Sequence, residues 1–248
     1  MPYKIKRLKP MVDLSTYCNA ACPQCHRTDQ EDISKKNYWL PLVQWSLETF
    51  KKRFPARDFY LYKRITLCGT WGDPMMNKDI LEIITYILES SRRVQILINT
   101  NGSMRNEEFW WNLGILNYKY NLRLTVVFAI DGATQEQHAT YRRKTELDKV
   151  LLHMKAFTES GSEAKVYTVV FKHNENDIKK IAKLAYDNGA CYMYICPSNR
   201  FNRNLDPFKF VYEDKVETLY APEKITKFTE LLLTKETDNL LEAKRILV

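Results

Sequence analysis

Residues 122–130 read LRLTVVFAI, an apolar run rich in β-branched side chains that predicts a buried strand. Residues 147–157, LDKVLLHMKAF, carry apolar side chains at helical spacing, and residues 164–171, AKVYTVVF, predict a second strand. Two strands joined through a helix are expected to lie parallel, because the helix must pack back onto the sheet as a crossover connection. This stretch therefore favours an α/β fold.

The same alternation continues on both sides of this stretch. Further strands are predicted at residues 9–16, 64–68, 94–99 and 190–196, and further helices at residues 42–54, 78–90, 106–116 and 176–189. Strands that alternate with helices in this way are typical of parallel sheets. Both an open doubly wound sheet and a full or partial β/α barrel satisfy the pattern.

The alternation stops at Pro197, and the remaining chain is expected to differ in kind. Residues 198–215 are aromatic and basic without a regular period, and residues 221–247 are predicted to form a terminal helix. We therefore expect one domain over residues 1–197 and a C-terminal extension, residues 198–248, that packs on it.

The composition is that of an ordinary globular protein. The 248 residues are 45% hydrophobic and 27% charged, and 7 Gly and 9 Pro leave little room for disordered linkers. No apolar run approaches membrane-spanning length, and the N-terminal residues lack the apolar core of a signal peptide. We therefore expect a cytoplasmic protein without membrane contact. The net charge of +8 suits an anionic partner such as RNA, a phosphate compound or an acidic peptide, but it is also typical of a solvated basic surface.

Polar, Gly-rich and Cys-rich segments follow the predicted strands at corresponding places. They lie at residues 18–25, 69–74, 99–102, 131–143, 172–177 and 196–200. Because the carboxyl ends of parallel strands meet on one face, these segments are expected to converge there, where sites are commonly built. The sequence therefore predicts one large site across the sheet.

Three of the six cysteines, Cys18, Cys22 and Cys25, lie in the first of these segments. A haem attached at CPQCH, residues 22–26, is disfavoured in a cytosolic protein, and a structural zinc ion needs a fourth ligand that the adjacent His26 is poorly placed to supply. A redox dithiol leaves Cys18 unexplained. Three thiolates can instead hold three irons of a [4Fe–4S] cubane and leave the fourth iron open.

The spacing Cys18-x3-Cys22-x2-Cys25 at the end of a first strand resembles the signature of the radical S-adenosylmethionine (SAM) superfamily. The segment GTWGDPMMN, residues 69–77, is similar to the family's Gly-Gly-Glu-Pro element. NTNG (99–102) and AIDGATQEQHATYR (129–142) resemble elements of the branch that includes the molybdenum-cofactor enzyme and the peptide-maturing enzymes. The resemblance covers roughly residues 10–200 and implies a partial (β/α)6 TIM-type barrel. No cysteine follows Cys196, so an auxiliary cluster domain is not expected.

The resemblance also implies a ligand set. Cys18, Cys22 and Cys25 would bind one [4Fe–4S] cluster, and the open iron would be chelated by the methionyl amino and carboxylate groups of SAM. The residues implied to bind SAM are Gly72 and Asp73 at the amino group, Asn99 in the third-strand element, Arg142 at the carboxylate, Asn174 at the ribose, and Gln24 and His26 around the adenine. Three positions depart from the family pattern: Gln24 replaces an aromatic residue, Ala129 a serine and Asp73 a glutamate.

The activity implied is a radical reaction. The reduced cluster would cleave SAM to methionine and a 5′-deoxyadenosyl radical, which would abstract hydrogen from the substrate. A small molecule, a peptide and RNA all stay open as substrate, and the basic charge favours an anionic one. Flavodoxin or ferredoxin is the expected electron donor, and Cys196 and Tyr194 are weak candidates for hydrogen-atom donors. Two alternatives stay open: a non-catalytic iron–sulfur or zinc protein of the same fold, and a nucleic-acid-binding protein that uses its cluster structurally and binds RNA.

Overall fold

The structure is a computed structural model that describes residues 7–234. Six parallel strands follow one another across the main sheet: β1 (Met11–Val12), β2 (Arg64–Leu67), β3 (Gln95–Thr100), β4 (Leu124–Ala129), β5 (Ala164–Val170) and β6 (Ala190–Pro197). Beyond them, β7 (Phe208–Tyr212) and β8 (Lys215–Leu219) form a hairpin, and β9 (Thr229–Leu232) pairs antiparallel with β6 at the sheet edge.

Helices connect the parallel strands. They are α1 (Leu47–Arg53), α2 (Ile80–Ser90), α3 (Glu107–Lys119), α4 (Gln135–Tyr141), α5 (Leu147–Glu159) and α6 (Ile178–Asp187), with 3-10 helices at Ala56–Leu61 and Pro74–Met76. Since neighbouring strands of the sheet are also neighbours along the chain and run parallel, the architecture is a partial (β/α)6 barrel. The α/β prediction is confirmed.

The side chains of strand β5 alternate between the two faces of the sheet, and one of these faces packs on the hydrophobic core. Ala164, Val166 and Val170 are buried in the main hydrophobic core, whereas Lys165 and Tyr167 alternate with them and face the other side. The helices fill the core side with aliphatic and aromatic residues at helical spacing, such as Ile83, Ile84 and Ile87 of α2 and Val150, Met154 and Phe157 of α5. The second face is left for the polar side chains that follow the strands.

The first predicted strand and helix are both shorter than expected. Strand β1 contains two residues instead of residues 9–16, and α1 begins at Leu47 instead of residue 42. The reason is a pairing between the two segments: the Trp45 backbone N–H donates to the Leu14 carbonyl and the Thr16 N–H to the Val43 carbonyl, each at 3.0 Å. Backbone groups that are bonded across the chain cannot also form a helix.

The predictions for the C-terminal part were wrong in two places. Residues 198–215, expected to be irregular, contain β7 and enter the hairpin, and residues 229–232 form a strand where a helix was predicted. The exposed edge of β6 explains the second difference, since its backbone groups pair with β9 in the register Tyr194 to Glu230. The rest of the predicted helix, from residue 235, lies outside the described residues.

Strand β9 also continues the sheet past the expected domain boundary at residue 197. Between residues 7 and 234, no helix has the length and apolar character needed to cross a membrane.

Candidate active site

The carboxyl ends of the strands surround a cavity of about 460 Å³. Its walls include the thiols of Cys18, Cys22 and Cys25 together with Gly72, Asp73, Asn99, Ala129 and Arg142. The loops after β1, β2, β3 and β4 all contribute to these walls, as the alternating pattern predicted. This volume lies within the range of small-molecule sites, about 300–1,000 Å³.

Hydrogen bonds to backbone carbonyls hold the cysteine loop in place. The Thr28 hydroxyl donates to the carbonyls of Cys22 and Cys25, both at 2.9 Å, and the Ala21 N–H donates to the Arg143 carbonyl at 3.0 Å. None of the three cysteines is in a disulfide. The thiols are therefore available as ligands on a fixed loop.

Burial opposes ionisation of the unliganded thiols. It raises the pKa of the Cys22 thiol to about 11, against the favourable charge of Arg142, and it raises the pKa of Cys18 further, with the Asp73 carboxylate acting in the same direction. Thiolates in this place would need a cation beside them.

The hairpin of β7 and β8 covers the cysteine loop. Phe210 and Leu219 are buried in a second hydrophobic cluster with Cys22 and Ile33. Two backbone bonds connect the same elements, from Ile33 N–H to the Val211 carbonyl at 3.0 Å and from Val211 N–H to the Gln30 carbonyl at 3.2 Å. The hairpin thus packs directly against the cysteine loop.

Gly72 lets the loop after β2 approach the cysteine loop. A Cβ at this position would lie 2.2 Å from the Ser15 carbonyl oxygen and 2.7 Å from that of Tyr17, closer than any side chain tolerates. The next residue bonds there directly, with the Asp73 N–H donating to the Tyr17 carbonyl at 2.8 Å. Only glycine allows this contact between the two loops.

The Asp73 carboxylate is buried and accepts several hydrogen bonds. The backbone N–H groups of Met75 and Asn101 donate to it at 2.9 and 2.8 Å, and the Thr100 hydroxyl lies 2.9 and 3.0 Å from its two oxygens. Burial raises its pKa, while these hydrogen bonds oppose the shift. About one acceptor site of the carboxylate is left for a ligand at the cavity.

Asn101, which sequence reasoning missed, connects the third-strand loop to the cysteine loop. Its Nδ2 donates to Asn19 Oδ1 at 2.9 Å and lies 3.7 Å from the Cys18 sulfur. The Asn19 amide in turn donates to the Ser103 hydroxyl at 2.7 Å. The signal that pointed to NTNG was its place after β3, and that signal does not distinguish Asn101 from Asn99, which also lines the cavity.

Asp131 holds Arg142 in place. The Arg142 Nε donates to Asp131 Oδ2 at 2.5 Å, and the Val169 N–H donates to the other oxygen at 2.6 Å. The Asp131 side chain is fully buried and that of Arg142 is 17% exposed. Arg142 Nη1 lies 3.7 Å from the Cys22 sulfur, so the guanidinium connects Asp131, which follows β4, to the cysteine loop.

His138 supports this pair from behind and carries no charge. Its Nδ1 accepts from the Asp131 backbone N–H at 3.2 Å, and its Nε2 lies 3.0 Å from the Thr145 hydroxyl. The Thr145 proton is donated to the Arg142 carbonyl at 2.7 Å, so Nε2 is the donor to Thr145. A second ring proton would face the Asp131 N–H. Burial, with the charge of Arg142, lowers the pKa of His138 to about 3.

Acid is therefore expected to destabilise the fold partly through His138. Between about pH 6.5 and pH 3 the unfolded chain binds a proton at this residue that the folded chain does not, so the free energy of unfolding falls as the pH falls. We predict that His138→Gln removes up to about 1.4 kcal/mol per pH unit from this slope in chemical unfolding. His173, whose pKa burial lowers to about 4, contributes in the same direction in both proteins. Equal slopes for wild type and variant would contradict the prediction.

The other residues implied by the resemblance lie elsewhere. Asn174 is buried, and its Nδ2 donates to the carbonyls of Asp131 and Val169, both at 2.9 Å, so it positions the loop of Asp131 and its contact with a ribose stays a prediction. Gln24 and His26 line an adjoining outer cavity of about 650 Å³. The Gln24 Nε2 is buried without a partner among residues 7–234 and is an open donor beside Cys25.

Tyr167, not the predicted Cys196 or Tyr194, lines the main cavity. Burial and a hydrogen bond to Cys196 raise the pKa of the Tyr167 phenol. Tyr194 accepts a hydrogen bond from the Lys165 ammonium at 3.2 Å and stacks on Phe228. Hydrogen-atom donation by Cys196 or Tyr194 therefore stays a prediction.

Comparison with known proteins identifies the family. The model of the Radical SAM superfamily matches residues 12–185. The chain is 23% identical over 178 residues to a GTP 3′,8-cyclase of Clostridium perfringens, with 71% of this chain and 51% of that protein covered. It is 23% identical over 219 residues to an AdoMet-dependent heme synthase of Methanosarcina barkeri, with 87% and 58% covered. The chain thus spans little more than half the length of these relatives.

Solved structures agree in fold. SuiB of Streptococcus suis bound to its precursor peptide SuiA superposes with a TM-score of 0.59 at 14% identity, over 75% of this chain and 38% of that one. Native anSMEcpe with bound AdoMet gives 0.56 at 18% identity, over 75% and 50%. The chain belongs to the radical SAM superfamily. It is an enzyme whose cofactors are a [4Fe–4S] cluster, held by three cysteines, and SAM.

The donor set fits these cofactors. Within residues 7–234, no three His, Cys, Asp or Glu side chains converge closely enough to hold a single metal ion. In a cubane each thiolate binds its own iron, so three thiols spread around a shared cavity suit a cluster better than a mononuclear ion. Gln24 occupies the position where the family usually has an aromatic residue, and its contact with adenine stays a prediction.

Proposed function

We propose that Cys18, Cys22 and Cys25 hold the cluster, and that the chain binds SAM beside it for reductive cleavage. The observation that carries this proposal is that the three thiols line the same cavity as Asp73 and Arg142. When bound, the cofactors supply the cleavage of a carbon–sulfur bond, which gives methionine and a 5′-deoxyadenosyl radical that takes a hydrogen atom from the substrate.

Asp73 and Gly72 are assigned to the amino group of SAM. A carboxylate and a strand-end carbonyl are acceptors, and an ammonium group has three donors to share between them. The three groups that donate to Asp73 fix its orientation before any ligand arrives.

Arg142 is assigned to the carboxylate of SAM. Asp131 uses Nε and one Nη1 hydrogen faces the Cys22 sulfur, which leaves N–H groups on both terminal nitrogens to bind a carboxylate in a forked arrangement. The serine hydroxyl that the family places two residues before the Asp-Gly pair is Ala129 in this chain, so Arg142 carries more of the carboxylate contact. Asp131 and His138 act as positioning residues behind it.

The reaction needs an electron and a substrate from outside the described residues. We place it in a reducing cytosol with a flavodoxin or ferredoxin as donor, since the cluster must be reduced before each cleavage. The hairpin of β7 and β8 shields the thiols and limits quenching of a radical by water-borne donors.

The test is anaerobic reconstitution with iron and sulfide, reduction, and addition of SAM. We expect about four irons per chain, a change in the electron paramagnetic resonance signal of the reduced cluster on adding SAM, and release of methionine with 5′-deoxyadenosine. Arg142→Gln should retain the irons but need at least about tenfold more SAM, a loss of about 1.4 kcal/mol. Lys144→Gln, an exposed neighbour with the same charge change, is the matched control.

Two outcomes would overturn the proposal. One is a single zinc ion at the loop. The other is a cluster whose signal does not respond to SAM and that yields no 5′-deoxyadenosine even when cell extract is added as a source of substrate.

A further inference from the structure

Two arginines line the main cavity without a carboxylate partner. Arg27 donates from Nε to the Thr16 carbonyl at 3.0 Å, and Arg200 donates from Nη1 to the Gln24 carbonyl at 2.5 Å. Each guanidinium thus uses one of its five N–H donors on a backbone oxygen. No ion pair involves either residue in the part of the chain that the structure describes.

The acidic groups in and behind the cavity wall are already bonded. Asp131 is paired with Arg142, and the oxygens of Asp73 accept bonds from Met75, Thr100 and Asn101. The carboxylate of SAM is assigned to Arg142. Neither Arg27 nor Arg200 has a carboxylate against it, and the free N–H donors of a guanidinium in a concave site suit an anion.

The two arginines differ in depth. Arg27 is half-buried in the cavity wall, whereas Arg200 is exposed and lines both the main cavity and the outer cavity. Trp39 and Trp71 also line the outer cavity, with ring centroids 5.3 Å apart in an edge-to-face contact. Arg200 therefore lies where the two cavities adjoin, and Arg27 lines the main cavity alone.

We propose that Arg27 and Arg200 together bind an oxyanion of the substrate, either a carboxylate or a phosphate. This inference rests on the proposed function, because it assumes that SAM occupies Arg142. Both oxyanions match the forked donors of a guanidinium. The body of the substrate extends towards the outer cavity and its aromatic wall.

The test is a calorimetric titration of the reconstituted, SAM-loaded enzyme at low ionic strength with inorganic phosphate and, separately, with succinate. We expect one equivalent to bind wild type, and Arg27→Gln or Arg200→Gln to weaken binding at least tenfold. Arg203→Gln, an exposed arginine three positions from Arg200, is matched in charge and should bind as wild type does. Tighter binding of one probe identifies which oxyanion the substrate carries.

The SAM-dependent paramagnetic signal and the iron content are measured for every variant. Arg27→Lys and Arg200→Lys retain the charge, so an intermediate affinity distinguishes anion binding from a folding defect. The inference is overturned if SAM binds normally but neither probe does, or if Arg203→Gln weakens binding as much as the other variants. If wild type does not bind SAM at all, the proposed function fails instead.

Discussion

Alanine at Cys18, Cys22 or Cys25 is expected to remove the cluster, whereas alanine at any of the other three cysteines is expected to leave it in place. Each thiol of the first set lines the cavity and would bind a separate iron, so one deletion exposes a second iron and lets the cluster decompose. The measurement is iron per chain after anaerobic reconstitution, with visible absorbance. We expect a fall from about four irons to below about one, and no 5′-deoxyadenosine.

The control set comes from the same chain and is chemically identical. Cys191 and Cys196 lie on β6, and Cys68 follows β2, where its thiol lies 3.6 Å from an Asp13 carboxylate oxygen. Cys68 is the demanding control, because it lines the cavity without belonging to the loop. If Cys68→Ala loses its iron and Cys25→Ala retains it, Cys68 and not Cys25 is the ligand, and the assignment is contradicted.

Asp131→Ala is expected to give the largest loss of stability of any single change at the site. It leaves the buried Arg142 cation without its partner and the Val169 N–H without an acceptor. Removing one partner of a buried ion pair costs about 3–5 kcal/mol. The free energy of unfolding of the cluster-free protein should therefore fall by this amount, and SAM should bind the reconstituted variant at least about tenfold more weakly.

Two further variants make this measurement specific. Glu159→Ala breaks an exposed pair with Lys155, whose side chains are 54% and 55% exposed, and should cost less than about 1 kcal/mol. Asp131→Ala combined with Arg142→Met should recover part of the lost stability, because the uncompensated charge is gone. If the double variant is no more stable than Asp131→Ala, the loss has another cause than the unpaired cation.

The inner strands were predictable because each is a short run rich in apolar and β-branched side chains. Residues 94–99 and 164–171 correspond to β3 and β5 within one residue at each end. Strands buried on a core face have their pattern dictated by that core. The edge elements were not predictable in this way, since β9 depends on the open edge of β6 and residues 43–45 depend on the chain at 14–16.

The residues of the candidate site also differ in whether the sequence could predict them. Spacing located the cysteine loop and the segment around Asp73, because those residues lie close together in sequence. Arg27 and Tyr167 were missed as cavity residues, since no motif marks them and only the folded sheet brings them to one wall. Arg200 lies in the segment 196–200 that was expected to converge on the site. The bond that the Asn174 amide gives to the Asp131 carbonyl depends on the meeting of two loops and has no signal in either loop.

The hairpin that lies against the cysteine loop has a consequence for biogenesis. Cys22 and Ile33 are packed on Phe210 and Leu219, which leave the ribosome much later. When only the first strands of a nascent chain have left the ribosome, the hairpin has not yet been synthesised and cannot cover the cysteine loop. The packing around the cysteine loop is therefore complete only after residues 208–219 have been synthesised.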